Sequence, residues 1–522
     1  MDAEVLVVGG GHNGLICAAY LAKEGIDTLL LEARPSVGGC ASTVGALGAR
    51  FNICHCDHLL IRAMPIFDEL ELSLHGLEYI EPEASSILAF HDESNPWVLF
   101  NDIERTLEGL ATSYPSQVDS YKRYLSDALP VARLAIEIAK TPPSLRQVSS
   151  VILHEKGSGL TRLLKWSRMS ASEVLSRYFD DWRFIMPAVT TGPTVWGVPP
   201  ETPGTGLAAL SYVTRHLVRS GRPAGGSGVL TDAIRSAFEQ FGGRIRCDAY
   251  VKSLMTNNGA ISGVLLDSGD VLSSKQVVAA CDPSRVFVDW VTPTSKSTRR
   301  LTNRWKEKPI SEGYESKIDG ILTGLPVPKW SFAIASQHEG LNPLGQTVSV
   351  SPEPKDLERA HYLRTKGLVA ERPTMLLDFP SVADPTMKSE YGKHVLSLEI
   401  LFTPYSLKGG WSHSNEPERW LKLWAGLMEP ESFELVEAWR SMTPDRYEAE
   451  FTMHRGHTPS FGGSPLSVLL GNPRELTRYR TPLAGLYLCG AGTYPGAGIV
   501  GVSGRNAADA LLKDLRGSGI NS

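Results

Sequence analysis

Residues 3–25 read AEVLVVGGGHNGLICAAYLAKEG, and residues 486–512 read LYLCGAGTYPGAGIVGVSGRNAADALL. Each stretch is a short apolar run, a glycine-rich crossing and a helix, so a strand–turn–helix unit stands near either end of the chain. In the first, Val5-Leu6-Val7-Val8 is continuously apolar, as a strand covered on both faces requires. Gly9, Gly11 and Gly14 follow with the spacing G-x-G-x-x-G. The first glycine permits the tight turn, the second lets backbone approach a pyrophosphate, and the third lets the helix pack closely on the strand. Leu15, Ala18, Ala19 and Ala22 form the sheet-facing side of that helix, which Gly25 ends. The free amides of its N-terminus favour an anion.

A second strand, Thr28 to Leu31, delivers Glu32 to the place of a ribose-binding acid, roughly 20 residues past the glycines. A bare glycine fingerprint is a weak signal; strand, turn, helix, strand and acid together are a strong one. Arg34 and the pair Gly38-Gly39 extend it. The glycines offer another place for backbone to meet phosphate, and Arg34 a cation to lie along the nucleotide. This E-x-R-x-x-x-G-G extension resembles the flavoproteins that include amine oxidases and phytoene desaturases, and the resemblance implies FAD rather than NAD. No second strand-linked G-x-G-x-x-G occurs to build a nicotinamide domain.

At 522 residues the chain exceeds what one core usually serves, so two packed domains are expected. A net charge of -5 gives no footprint for nucleic acid. Seven cysteines make no disulfide framework and fit a reducing cytosol. The acidic start Met1-Asp2-Ala3-Glu4 is unlike a targeting peptide. No stretch offers the roughly 20 uninterrupted apolar residues of a spanning helix. The expectation is a cytoplasmic protein, at most attached to a membrane surface.

Residues 222–251 return to the nucleotide side. Leu230, Ile234, Ala237, Phe238 and Phe241 make an apolar helical stripe closed by Gly242-Gly243. A strand to Cys247, another from Val251 to Met255, a turn at Asn257-Asn258-Gly259, the alternation Ile261 to Leu266 and the apolar strand of QVVAACDP follow.

FNICHCDHLL, residues 51–60, crowds Cys54, His55, Cys56, Asp57 and His58 together like a metal site. Structural zinc motifs space paired ligands by two or more residues and need a second pair. Neighbours on an extended strand point to opposite faces, so no metal is expected here. Nor is this the C-x-x-C of a redox-active disulfide. His454 and His457 read as a polar lining on the substrate side.

GGGHNGL, FNICHCDH, HGLEYIEPE, RPAGGSG and LYLCGAGTYPGAGIVGVSGRN occur in that order over nearly the whole chain. Together they resemble the phytoene-desaturase-like flavoproteins, within them the carotenoid ketolase branch and the related pyridine nucleotide-disulfide oxidoreductase domain 2 proteins. The His12-Asn13 pair is typical of that branch. The resemblance implies an α/β fold: a Rossmann-like FAD-binding domain of amine oxidase/phytoene desaturase type at 1–80, 222–290 and 465–522. An inserted α+β substrate-binding or lid domain occupies 81–221 and 291–464. It implies that Gly9, Gly11, His12, Asn13, Gly14, Glu32, Arg34, Gly38 and Gly39 hold the ADP half of FAD and that Val251 meets adenine through its backbone. Gly490, Gly492, Val500, Gly501 and Val502, with a helix N-terminus, lie under the isoalloxazine, where amide dipoles favour the negative charge of reduction. Cys489, read as buried in the last strand, leaves the flavin non-covalently bound.

One position departs from the branch. Thr493-Tyr494-Pro495-Gly496 stands where T-H-P-G is usual, so Tyr494 either walls a substrate against the ring or packs at the cofactor edge. In GLTRLLKWSRM, Leu160, Leu163, Leu164 and Met169 can share a face opposite Arg162, Lys165 and Arg168. That helix reads either as resting on anionic lipid or as an ordinary surface helix on a lid.

The function expected is an FAD-dependent oxidoreductase that removes a hydride from a small apolar substrate, carotenoid, isoprenoid or polyketide-like, by desaturation or ketolation. Dioxygen or another acceptor takes the electrons. Tyr494, His454 and His457 are the candidates on the substrate side, and no general base stands out. The alternatives are an FAD-dependent amine oxidase and a non-catalytic flavin-binding interaction protein.

Overall fold

The computed structural model describes residues 1–141, 144–190, 197–309 and 311–518. Two sheets organise them. In the first, five parallel strands stand in the order Leu486–Leu488, Gln276–Ala279, Val5–Val8, Thr28–Leu31, Arg244–Arg246. Val5–Val8 occupies the centre, and all four of its residues are buried. The alternate side chains serve two cores. Val5, Val7, Leu30 and Val278 pack against the helices His12–Lys23, Gly228–Gln240 and the one starting at Val502. Leu6, Val8, Val277 and Leu488 pack under the antiparallel strands Val251–Asn257 and Ala260–Leu266.

From the central strand the chain builds outward through Thr28–Leu31 and Arg244–Arg246. It then crosses to the other side for Gln276–Ala279 and Leu486–Leu488. The reversal leaves a crevice at the carboxyl ends of Val5–Val8 and Gln276–Ala279, the place where open α/β sheets take ligands.

The second sheet has seven strands in the order Val436–Met442, Glu315–Leu322, His394–Leu401, Met375–Asp378, Val348–Ser351, Ser86–Phe90, Trp97–Leu99. All pairs are antiparallel except Val348–Ser351 with Ser86–Phe90. Ile318, Leu322, Leu396, Leu398 and Ile400 turn one face to a core that includes Trp420 and Trp424. The other face is polar. Lys317 stands opposite Glu399 and Asp319 opposite Ser397, with Asp378 next across. The hairpin Thr43–Ala46/Ala49–Asn52 covers it, with Lys317 Nζ donating to the Asn52 carbonyl.

Helices Ile103–Ser113, Val118–Lys140 and Ser211–Leu217 enclose an aromatic core in which Trp97 stacks on Phe184 at 5.0 Å. The stretch GLTRLLKWSRM forms a shorter helix than its apolar pattern suggests, Leu160–Trp166. Leu163 and Trp166 point into the core, Leu164 is exposed, and Arg162 pairs with Asp127 at 2.6 Å. The packed arc takes in Leu163 and Trp166, with Leu160 and Met169 at its margin, and leaves Leu164 outside it, so the four-residue face divides. No described helix is long and apolar enough to cross a membrane.

Candidate functional site

The carboxyl ends of the parallel strands converge on the crevice. Gly9 has φ 107°, a left-handed turn that lifts the chain off the first strand. A Cβ on Gly14 would sit 2.0 Å from the Gly9 carbonyl oxygen and 3.0 Å from Ala280 Cβ, so the third glycine is demanded by helix–strand contact. The Gly38 amide donates to the Gly10 carbonyl at 2.8 Å, and Gly11 bridges Gly38, laying the two glycine turns side by side. Gly11 caps helix His12–Lys23 without a side-chain acceptor, leaving first-turn amides for an anion. Asn13 Oδ1 is buried without a partner among the described residues.

Glu32 is fixed from both sides. Its two carboxylate oxygens accept the amides of Gly10 at 2.7 Å and Arg34 at 2.9 Å. A carboxylate has four lone-pair sites, so two remain for further donors. The Arg34 guanidinium lies over the Phe451 ring at 4.6 Å and donates to Ser42 Oγ at 3.3 Å. The Ala249 amide donates to the Glu32 carbonyl at 2.8 Å, which brings the buried Val251 to the same end.

The C-terminal unit closes on the N-terminal one. The Cys489 amide donates to the Ala279 carbonyl at 3.0 Å, and a Cβ on Gly490 would approach the Ala280 backbone to 3.6 Å. Gly490 donates to Ser503 Oγ at 2.8 Å, and Ser503 Oγ meets Thr493 Oγ1 at 2.6 Å. A Cβ on Gly504 would sit 2.2 Å from the Asn13 carbonyl oxygen and 3.1 Å from the Cys17 amide, so the first and last helices touch backbone to backbone. Gly492 packs on Pro283 and Gly501 on Ile16 and Ile66. Val500 and Val502 point into the core; only their backbone can face a ligand. Cys489 is fully buried.

Tyr494 is buried, its ring edge-on to Phe461 at 6.0 Å. Its hydroxyl donates to the Ile138 carbonyl at 3.3 Å, which ties the C-terminal glycine turn to helix Val118–Lys140. Burial raises its hydroxyl pKa, so it stays a neutral donor.

Two histidines stand where the units meet. His12 hydrogen-bonds the Gly498 backbone, and burial lowers its pKa to about 4. His58, between Ser227 Oγ at 3.0 Å and Tyr79 Oη at 3.2 Å, is lowered by burial and by His12 to about 3. Both are neutral at pH 7. The folded state binds fewer protons than the unfolded one below the ordinary histidine value of 6.5. Their contribution to stability is therefore complete above pH 6.5 and lost as pH falls from there toward about 4 for His12 and about 3 for His58. Urea unfolding midpoints should drop over that interval, and replacing His58 with glutamine should flatten the drop.

The FNICHCDH segment corrects an expectation. It leaves the strand at Asn52, and donor atoms of His55, Cys56 and Asp57 come within 4.8 Å of one another. Opposite-face geometry therefore does not keep them apart. Protein partners already engage them: Asp57 pairs with Arg222 at 2.6 Å, Cys56 Sγ meets Asp378 Oδ2 at 2.9 Å, and His55 Nε2 meets Thr347 Oγ1 at 3.3 Å. Arg222 also reaches Asp378 at 3.0 Å. A guanidinium inside the cluster supplies the positive charge.

His454 opens a short turn, His454–Gly456, whose carbonyl accepts the His457 amide at 3.0 Å. His457 Nδ1 is buried without a partner among the described residues, and burial lowers its pKa. The adjoining residues line a cavity of about 20 Å³ with Cys54, Gly313, Tyr314, Glu315, Tyr447, Met453 and Thr458. Cys40, directly after Gly39, contacts Thr458 Oγ1 at 3.6 Å. Further along the same segment, the Phe461 amide donates to the Ala491 carbonyl at 3.0 Å. The cavity thus lies between the Gly38-Gly39 turn and the Gly490–Gly492 turn. The Cys54 thiol lowers the Cys40 pKa to about 7, and burial leads in raising Glu315 to about 7. Glu315, Arg222, Ser503 and Gly504 were not singled out in the sequence. The alternation of polar and apolar residues in ESKIDGIL, 315–322, is the signal that could have exposed the first.

Residues 7–64 match the NAD(P)-binding Rossmann-like domain family. The chain is 28% identical to pyridine nucleotide-disulfide oxidoreductase domain-containing protein 2 of Rattus norvegicus, over 99% of this chain and 94% of that one. It is 23% identical to a lycopene-forming phytoene desaturase of Paracoccus sp., over 98% and 97%. Putrescine oxidase bound to putrescine superposes with TM-score 0.62 at 16% identity, over 99% of each chain, and shares the fold. Convergent glycine turns, switch-point crevice and full-length similarity make the chain an oxidoreductase on a Rossmann-like dinucleotide-binding frame, homologous to the phytoene desaturases.

Proposed function

We propose that the protein is an FAD-dependent oxidoreductase that takes a hydride from a small organic substrate held between the crevice and the seven-stranded sheet. The observation that carries this reading is the meeting of both chain ends at one crevice: Gly9 and Gly490 flank Ala280, and Gly504 rests on Asn13. One dinucleotide spanning the crevice uses both units; a nicotinamide cofactor would leave the C-terminal glycine turn without a role. Segments 1–80, 222–290 and 465–522 form the cofactor half, and 81–221 with 291–464 the substrate half.

The donor set fits the group. The Gly11–Asn13 amides take the pyrophosphate, the remaining lone pairs of Glu32 the ribose, and backbone at Val251 the adenine. The Gly490–Gly492 turn and the backbone of Val500–Val502 meet the ring. FAD, when bound, accepts a hydride and passes the electrons to dioxygen or another acceptor. The protein's part is to hold the substrate carbon near the ring, exclude water and take the proton. Tyr494, anchored to Ile138, walls the ring edge. The names of the relatives support an apolar body for the substrate and dehydrogenation as the reaction. The buried polar sheet face supports a second reading, oxidation of an amine or alcohol carbon.

Anaerobic bleaching of the bound flavin by carotenoids, amines and hydroxylated polyketides tests the proposal. Full bleaching by one class is expected. A flavin that none of them reduces, in protein that dithionite does bleach, contradicts it.

A further inference from the structure

We propose that the polar face of the seven-stranded sheet receives a hydrogen-bond-donating head of the substrate, a hydroxyl or an amine, and that Glu315 accepts its proton. This rests on the oxidoreductase reading above and narrows its substrate class.

A strand that alternates polar and apolar residues normally shows its polar side to water. Here that side is closed off: Lys317 and Asp319 are 0% exposed, Asp378 2% and Glu399 3%. Buried charges persist when they are paired, and the cations of this face are spent. Lys317 pairs with Asp319 at 2.8 Å and donates to the Asn52 carbonyl. Arg440 also pairs with Asp319, at 2.8 Å. Arg222 divides itself between Asp57 and Asp378. Among the described residues Glu315 and Glu399 are in no salt bridge, although Lys317 stands opposite Glu399, and Glu315 Oε1, Glu399 Oε1 and Ser349 Oγ lack hydrogen-bond partners. Glu315 Oε1, a pure acceptor when the carboxyl is ionised, is left without a donor.

Glu315 lines the cavity between the two glycine turns, so a donor bound there lies beside the place of the cofactor. Burial and the neighbouring Cys40 favour its neutral form and Lys317 its ionised form, which sets it near 7. A base poised there is ionised often enough to act and basic enough to take a proton. Burial and Glu315 push the Glu399 carboxyl well up, favouring its neutral form.

In the step, the C–H and X–H bonds of an H–C–X–H group break, X being oxygen or nitrogen, and C=X forms. A bound oxidised flavin would take the hydride with its two electrons, and the proton goes to the Glu315 carboxylate. Dioxygen or a quinone restores the flavin. A hydrocarbon or an ether offers Glu315 nothing.

Calorimetric binding of three probes to the purified holoprotein tests this: octan-1-ol, its isomer 1-methoxyheptane, and octylamine. A site built around an acceptor rejects an isomer without the donor strongly. The alcohol or the amine should bind at least ten-fold more tightly than the ether. Glu315→Gln should cut that ratio at least five-fold with ether affinity unchanged, and should remove the pH dependence of probe affinity near 7. Preference for octylamine over octanol assigns the head as an amine, and the reverse as a hydroxyl. Equal binding of alcohol, amine and ether, no binding of any probe at millimolar concentration, or an unchanged ratio in Glu315→Gln overturns the proposal. If the variant does not fold, the wild-type ratio alone decides. Flavin absorbance of the same sample separates the two readings: a colourless protein sinks the oxidoreductase proposal, whereas yellow protein with equal affinities sinks only this one.

Discussion

Gly504→Ala is expected to destabilise the protein by about 3 kcal/mol and to strip it of dinucleotide, although alanine is the better helix former. On propensity alone the substitution in a helix interior gains up to about 1 kcal/mol. Against that, the added Cβ falls 2.2 Å from the Asn13 carbonyl oxygen, and the nearest atoms are backbone with no rotamer to yield. Overpacking of this kind costs roughly 1–3 kcal/mol and sometimes more, so the clash wins. Helix His12–Lys23 must move away, and with it the N-terminal amides proposed to hold the phosphates. Gly517 is the control. It lies in the same helix, and a Cβ there meets nothing within 4 Å. Gly517→Ala should be neutral or mildly stabilising and keep the cofactor. Thermal unfolding with cofactor quantification checks both; equal behaviour of the two variants would contradict the close packing of the terminal helices.

Arg222→Met should cost about 3–5 kcal/mol at neutral pH, the usual result of removing one partner from a buried ion cluster. Arg222 is 3% exposed and holds Asp57 at 2.6 Å, Asp378 at 3.0 Å and Thr347 Oγ1 at 2.9 Å. Burial alone would raise the Asp57 pKa; Arg222, His55 and Thr347 together outweigh it and hold the carboxyl well below its ordinary value. A depressed carboxyl contributes stability that is present above the unfolded pKa and lost as pH falls below about 4. In the variant that depression disappears, and the orphaned carboxyls gain protons before the wild type does. The difference in unfolding free energy should therefore be largest near pH 7.5 and shrink by pH 4.5. A difference under 1 kcal/mol at pH 7.5 would show the cluster to be dispensable.

The N-terminal unit was legible because its signals are local. Strand Val5–Val8, the turn at Gly9, helix His12–Lys23 and Glu32 follow one another within a few turns of chain, and each obeys a rule of spacing. The role proposed for the C-terminal glycines rests on resemblance, since the contact of Gly504 with Asn13 joins residues 491 positions apart in sequence. Metal geometry at His55–Asp57 was misjudged by extending strand alternation past Asn52, where the strand stops. The polar sheet face escaped notice for a related reason. Alternation in residues 315–322 implies one wet side, and only the tertiary packing of Ala49 and Phe51 against Ile321 and Val395 shows that side to be covered.

The central claim is that the two ends of the chain hold one FAD between them. Acid-release chromatography of the purified protein, with absorbance to count chains, tests it most directly. One FAD per chain in the supernatant is the predicted result, falling to near zero in Gly504→Ala and retained in Gly517→Ala. Release of a nicotinamide dinucleotide instead of flavin, or FAD retained in full by Gly504→Ala, would contradict it.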